Sequence, residues 1–80
     1  MLCAEISLYP LGTNHANSII KNSIRVLDTE NVDYKVGSIS THLHGPDEDV
    51  WKSIEDMYRH AAKNGEVNMV ITVTNAGKNL

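Results

Sequence analysis

The sequence predicts an α+β domain in which four antiparallel strands and two helices follow the order β-α-β-β-α-β. Three patterns predict it. Both ends of the chain alternate apolar and polar residues with period two, two internal stretches repeat apolar residues at helical spacing, and the parity of the alternation breaks once between them.

At the start of the chain Leu2, Ala4, Ile6 and Leu8 share one parity and Cys3, Glu5, Ser7 and Tyr9 the other, the mark of a strand buried on one side. Pro10 and Gly12 end it. Thr13 or Asn14 can accept from the free N–H groups of a following helix. Ala16, Ile19, Ile20, Ser23, Ile24 and Leu27 then recur at helical spacing and place that helix over about Asn14 to Glu30. Tyr34 and Val36 mark a second strand from Asp33 to Gly37, and a third runs from Ile39 to His44. The parity switch between Val36 and Ile39 demands a tight turn or bulge at Ser38 to Ser40.

Gly45, Pro46 and Asp47 open the second helix, because proline is tolerated in a first turn and Asp47, Glu48 and Asp49 sit at the positive end of the helix dipole. Its apolar stripe is Val50, Trp51, Ile54, Met57, Tyr58 and Ala61, and Gly65 after Asn64 is a natural left-handed stop. Val67, Met69, Ile71 and Val73 alternate with Asn68, Val70, Thr72 and Thr74 in the fourth strand. Two β-α-β halves joined by a hairpin favour a ferredoxin-like arrangement, one antiparallel sheet with both helices on one face. The opposite face is then left open, carrying Cys3, Glu5, Ser7, Tyr9, His42, His44, Val70, Thr72 and Thr74. Residues 1–80 form a single domain in this reading, with Asn75 to Leu80 as a loose polar tail.

Eighty residues bury only about 60–65% of their unfolded surface, so the core is marginal and a homo-oligomer is expected. Seven Lys and Arg against ten Asp and Glu give a net charge of −3, which opposes a phosphate backbone and argues against nucleic acid as a partner. The single cysteine, Cys3, allows no intramolecular disulfide, which fits a reducing, cytoplasmic setting. No window nears the roughly 18 apolar residues of a membrane span, and no secretory pattern opens the chain.

Glu5 is the first candidate site residue, because a carboxylate in mid-strand is costly to desolvate unless something pairs with it. Between packed sheet faces it would be a fixed acceptor for an amino-heteroaromatic ring; the alternative is a solvated or Lys-paired surface acid. Tyr9 shares its parity and could pack on a planar or cationic ligand, or serve as an oligomer contact. His42 and His44 lie on one side of a strand as a possible pair of metal ligands, but two ligands do not define a site and no metal is expected. Trp51 and Tyr58, within the apolar stripe, read as core. The chain has no G-x-S-x-G elbow and neither G-x-x-x-x-G-K nor G-x-G-x-x-G, so neither catalysis nor a nucleotide cofactor is expected.

Ala4-Glu5-Ile6, Pro10-Leu11-Gly12-Thr13, Tyr34-Lys35-Val36 leading to Thr41 and Gly45, the helix with Trp51, and a Val-Ile-Thr-Val strand together resemble the YkoF-like thiamine-binding family. The resemblance covers nearly the whole chain and implies a ferredoxin-like fold, dimers or tetramers formed through sheets, and binding of thiamine or its pyrimidine moiety without catalysis. Carried over by position, it implicates Glu5, the Pro10 to Thr13 turn and Thr41, while His44 stands where members often show an acid. The expected site is thus Glu5 to orient a pyrimidine, Ser7, Thr41 and Thr72 to hydrogen-bond it, Tyr9 to pack on the ring, and His44 beside them. The competing expectation is a structural or regulatory homo-oligomeric module with no small-molecule ligand.

Overall fold

The computed structural model describes residues 1–76. Strands β1 (Leu2–Pro10), β2 (Asp33–Val36), β3 (Thr41–Gly45) and β4 (Val67–Thr74) form one antiparallel sheet in the order β2-β3-β1-β4. Helix α1 (Ala16–Arg25), continued by a 3₁₀ turn (Val26–Thr29), and helix α2 (Asp47–Ala62) connect them. The observed order is the ferredoxin-like β-α-β-β-α-β that the sequence patterns require.

The core forms where the even-numbered side of β1 meets the helices. Leu2, Ala4, Ile6 and Leu8 bury against Leu43 of β3, Ile19 of α1, Leu27 of the 3₁₀ turn, and Val50, Ile54, Met57 and Ala61 of α2. Period two in the strand and near-period four in the helix thus aim at one volume. Two serines complete the helix contacts at no polar cost, since Ser23 Oγ donates to the Ile19 carbonyl at 2.8 Å and Ser53 Oγ to that of Asp49 at 2.7 Å. Gly45 is where the backbone before β2 comes closest: a Cβ there would meet the Asn31 carbonyl oxygen at 3.1 Å and Val32 Cγ1 at 3.2 Å.

Several local expectations are corrected. The first helix is shorter than Asn14 to Glu30, because Thr13 Oγ1 accepts from His15 N at 3.0 Å in a local turn, and the last residues tighten to 3₁₀. The hairpin loop is four residues, Gly37–Ser40, closed by Gly37 N donating to the Ser40 carbonyl at 2.8 Å. Ile39 therefore belongs to the loop rather than to β3 and is 85% exposed. Trp51 and Tyr58 are not core: they stand 52% and 47% exposed on the flank of α2, and Ser53 occupies the inward position instead. At the end of α2, Gly65 has φ +126°, the left-handed region expected of it. Of the tail expected from Asn75 onward, residues 77–80 lie outside the described ones.

Candidate functional site

Directly paired residues of antiparallel strands share a face, so the register fixes what the open side of the sheet presents. Lys35 pairs with His42, His42 with Glu5 and Glu5 with Thr72, a row that crosses all four strands. One step along, about 7 Å away, runs the row Asp33, His44, Cys3 and Thr74. In the other direction Ser7 pairs with Val70 and Tyr9 with Asn68.

Glu5 does have a partner. His42 Nε2 lies 2.6 Å from Glu5 Oε2, with both side chains about half exposed, so a carboxylate and an imidazole are locked together mid-sheet. The pair separates two depressions that both reach His42. One, of about 390 Å³, is lined by Asp33, Tyr34, Lys35, Gly37, His42 and His44; the other, of about 210 Å³, by Cys3, Ala4, Glu5, His42, Thr72 and Thr74. His44 Nε2 approaches Asp33 Oδ2 at 3.4 Å. At the rim of the larger depression the Tyr34 hydroxyl donates to Asp28 Oδ1 at 2.6 Å, and that hydrogen bond raises the phenol pKa and keeps it protonated. Among the described residues no three His, Cys, Asp or Glu side chains come together to hold a metal ion, and His42 and His44 each face a carboxylate instead.

The expected site residues divide. Glu5, Ser7, Tyr9, His44 and Thr72 all fall on the open face. Thr41 does not: it pairs with Ile6, is 4% exposed and faces the helices, so the strand's pleat separates it from Glu5. Tyr9 is half exposed but lies four residues from Glu5, about 13 Å along β1, too far to stack on a ring whose amino group sits at the Glu5 of the same chain. Ser7 is already engaged, donating from Oγ to the Ile39 carbonyl at 3.2 Å and tying the hairpin loop to β1. In the Pro10 to Thr13 turn Gly12 has φ +61° and Leu11 N donates to the Glu66 carbonyl at 2.9 Å, so that N–H is taken. Sequence reasoning missed His42 as the partner of Glu5 and Lys35 as the next residue of the row. Only the register could have shown either, since strands 5 and 42 residues into the chain carry no local sign of meeting.

A family model, that of the YKOF-related family, matches residues 2–77. The fold recurs in a Streptococcus pneumoniae protein of solved structure, at TM-score 0.86 and 19% identity over 96% of this chain and 87% of that one. It recurs equally in a hypothetical protein from Methanocaldococcus jannaschii, at TM-score 0.86 and 17% identity over 99% and 84%. A candidate thiamine biosynthesis/salvage protein from Thermotoga maritima superposes at TM-score 0.79 and 15% identity, over 90% and 80%. At such identities the likeness establishes the fold. No curated protein matches the sequence.

Proposed function

The chain belongs to the YKOF-related family, and from that premise we propose that it binds thiamine or a related hydroxymethylpyrimidine, without catalysis, on the open face of its sheet. The observation that carries this reading is the Glu5–His42 pair, 2.6 Å apart at the centre of that face, with Thr72 across from Glu5 on the next strand. An aminopyrimidine edge offers an amino donor beside a ring-nitrogen acceptor. His42 Nε2 holds one Glu5 oxygen, the other Glu5 oxygen can accept from the first, and the Thr72 hydroxyl can donate to the second. A negative protein also suits a thiazolium cation. The likeness to a candidate thiamine biosynthesis/salvage protein supports the same ligand class.

Affinity sets a further requirement. A micromolar complex needs about −8 kcal/mol, whereas one charge-assisted hydrogen bond contributes roughly 1.5–3. The smaller depression, of about 210 Å³, lies below the roughly 300–1,000 Å³ usual for ligand pockets. A second copy laid over the sheet face would enclose the ligand, and Tyr9, Ser7 and His44 would then border the seam rather than the pyrimidine itself. Calorimetry with thiamine tests the reading: Glu5→Gln should raise Kd by at least about 10-fold. Equal affinity in the two proteins would remove Glu5 from the site.

The half exposure of Glu5 and His42 in one chain favours a second reading, a homo-oligomeric module whose sheet face joins subunits only. Native mass spectrometry of an oligomer that neither carries nor takes up thiamine would select it.

A further inference from the structure

We infer that the larger depression of the open face, around Lys35, His42 and His44, receives a phosphate monoester carried by the ligand, so that the phosphorylated pyrimidine compound is held in preference to the free alcohol. The inference rests on the sheet-face reading above and deepens it, because it assigns the depression that the pyrimidine itself does not need.

The row Thr72, Glu5, His42, Lys35 gives the site a direction. With the pyrimidine between Thr72 and Glu5, the rest of a ligand can run over His42 towards Lys35, whose backbone lies two strands from Glu5, about 10 Å at the usual strand spacing. His42 lines both depressions and so joins them. The smaller, of about 210 Å³, is short of an ordinary ligand pocket, whereas the larger, of about 390 Å³, falls within the usual range of roughly 300–1,000 Å³.

Charge selects the group that this depression takes. On a protein of net charge −3, Lys35 is the one Lys or Arg that the described strands place on the open face. It lines the larger depression and has no hydrogen bond or ion pair among the described residues. The other polar groups of the lining are engaged: His42 with Glu5, His44 with Asp33, the Tyr34 hydroxyl with Asp28, and the Gly37 N–H with the Ser40 carbonyl. What remains for a ligand is an ammonium and the Nδ1 of two imidazoles, each of which turns its Nε2 to a carboxylate. A phosphate monoester suits that set better than a carboxylate does, since it brings nearly two charges and three acceptor oxygens that can meet the ammonium and a ring N–H together. Asp33 is the one acid in the lining; its side chain is 87% exposed and paired with His44, so water screens its repulsion.

Calorimetry at low salt tests the inference by comparing thiamine with thiamine monophosphate, and hydroxymethylpyrimidine with its phosphate, on the wild type, Lys35→Met, Lys35→Arg and Asp33→Asn. Both positions are exposed on the edge strand β2, and circular dichroism reports whether each variant folds. The phosphate should tighten wild-type binding at least about 5-fold in one of the two pairs, and the pair that shows it identifies which scaffold carries the ester into the depression. Lys35→Met should abolish that gain and leave affinity for the unphosphorylated compound within about 2-fold. Lys35→Arg should keep the gain, Asp33→Asn should enlarge it, and added salt should shrink it. Ester and alcohol bound equally by the wild type, or a gain that survives Lys35→Met, would overturn the inference while the pyrimidine reading stands. A Lys35-dependent gain on top of an affinity that Glu5→Gln leaves unchanged would do the reverse, and a wild type that binds none of these compounds would overturn both.

Discussion

Alternate residues of β3 live in two different environments. Thr41, Leu43 and Gly45 are buried under the helices, at 4% exposure or less for the first two, while His42 and His44 between them face outward towards Glu5 and Asp33. One side of the strand holds the fold together and the other presents chemistry, although the backbone is the same. Substitutions on the two sides should therefore separate stability from binding.

The largest effect belongs to the covered side. Leu43→Ala should lower the free energy of unfolding by about 2–5 kcal/mol in urea denaturation, because Leu43 is fully buried and its cavity lies under two helices. A loss below about 1 kcal/mol would mean that the helices do not pack where β3 faces them. Next comes Gly45→Ala, whose methyl would press on the Asn31 carbonyl and Val32 at 3.1–3.3 Å; a cost of about 1–3 kcal/mol is expected from the same measurement. If Gly45→Ala is neutral, the segment before β2 yields more easily than its backbone contact suggests.

A matched pair then sharpens the contrast between the faces. Thr72→Val, on the open side, should weaken thiamine binding by about 2- to 10-fold, as the loss of one neutral hydrogen bond would, whereas Thr41→Val, on the covered side, should leave it within about 2-fold. The reverse ranking in calorimetry would put the ligand on the wrong side of the sheet.

The smallest effect lies away from both faces, on the exposed flank of α2. Lys52 Nζ reaches Asp56 Oδ2 at 2.6 Å and Glu30 Oε1 at 3.2 Å. These hydrogen bonds raise the Lys52 pKa above 10.5, and the same lysine lowers that of Asp56 below 3.8. The raised amine contributes stability in full below 10.5 and loses it as pH climbs through its folded value. The lowered carboxyl contributes above 3.8 and loses it as pH falls through its folded value. The deficit in Tm of Lys52→Met should therefore be small, present at neutral pH, reduced by salt, and fading towards either extreme. A deficit unchanged by salt and by pH would assign it to packing of the lysine stem.

What was legible in the sequence was periodic. The alternation in Leu2–Tyr9 and Val67–Thr74 and the stripes of the two helices depend on each residue's neighbours along the chain, and burial follows them almost residue by residue in β1. The stripe of α2 was read too wide. Trp51 and Tyr58 sit at helical spacing from Ile54, yet both fall on one flank of it while the buried arc runs the other way through Val50, Ser53, Met57 and Ala61, so the large rings stayed outside and a hydrogen-bonded serine went in. The hairpin was read too tight for a similar reason: Ile39 fits a strand pattern, but the turn closes between Gly37 and Ser40.

The sequence by itself determined the order of elements, the parity that sets Glu5 outward and Ile6 inward, and the absence of charge from the fourth strand. All three follow from short-range spacing along a chain whose strand and helix periods are fixed by backbone geometry. Only the tertiary structure decided that Glu5 meets His42, that Thr41 lies on the far side from both, and that β4 rather than β1 stands at the edge. Those outcomes depend on which strands become neighbours and in what register. Residues tens of positions apart settle that jointly through burial, and no local pattern encodes it.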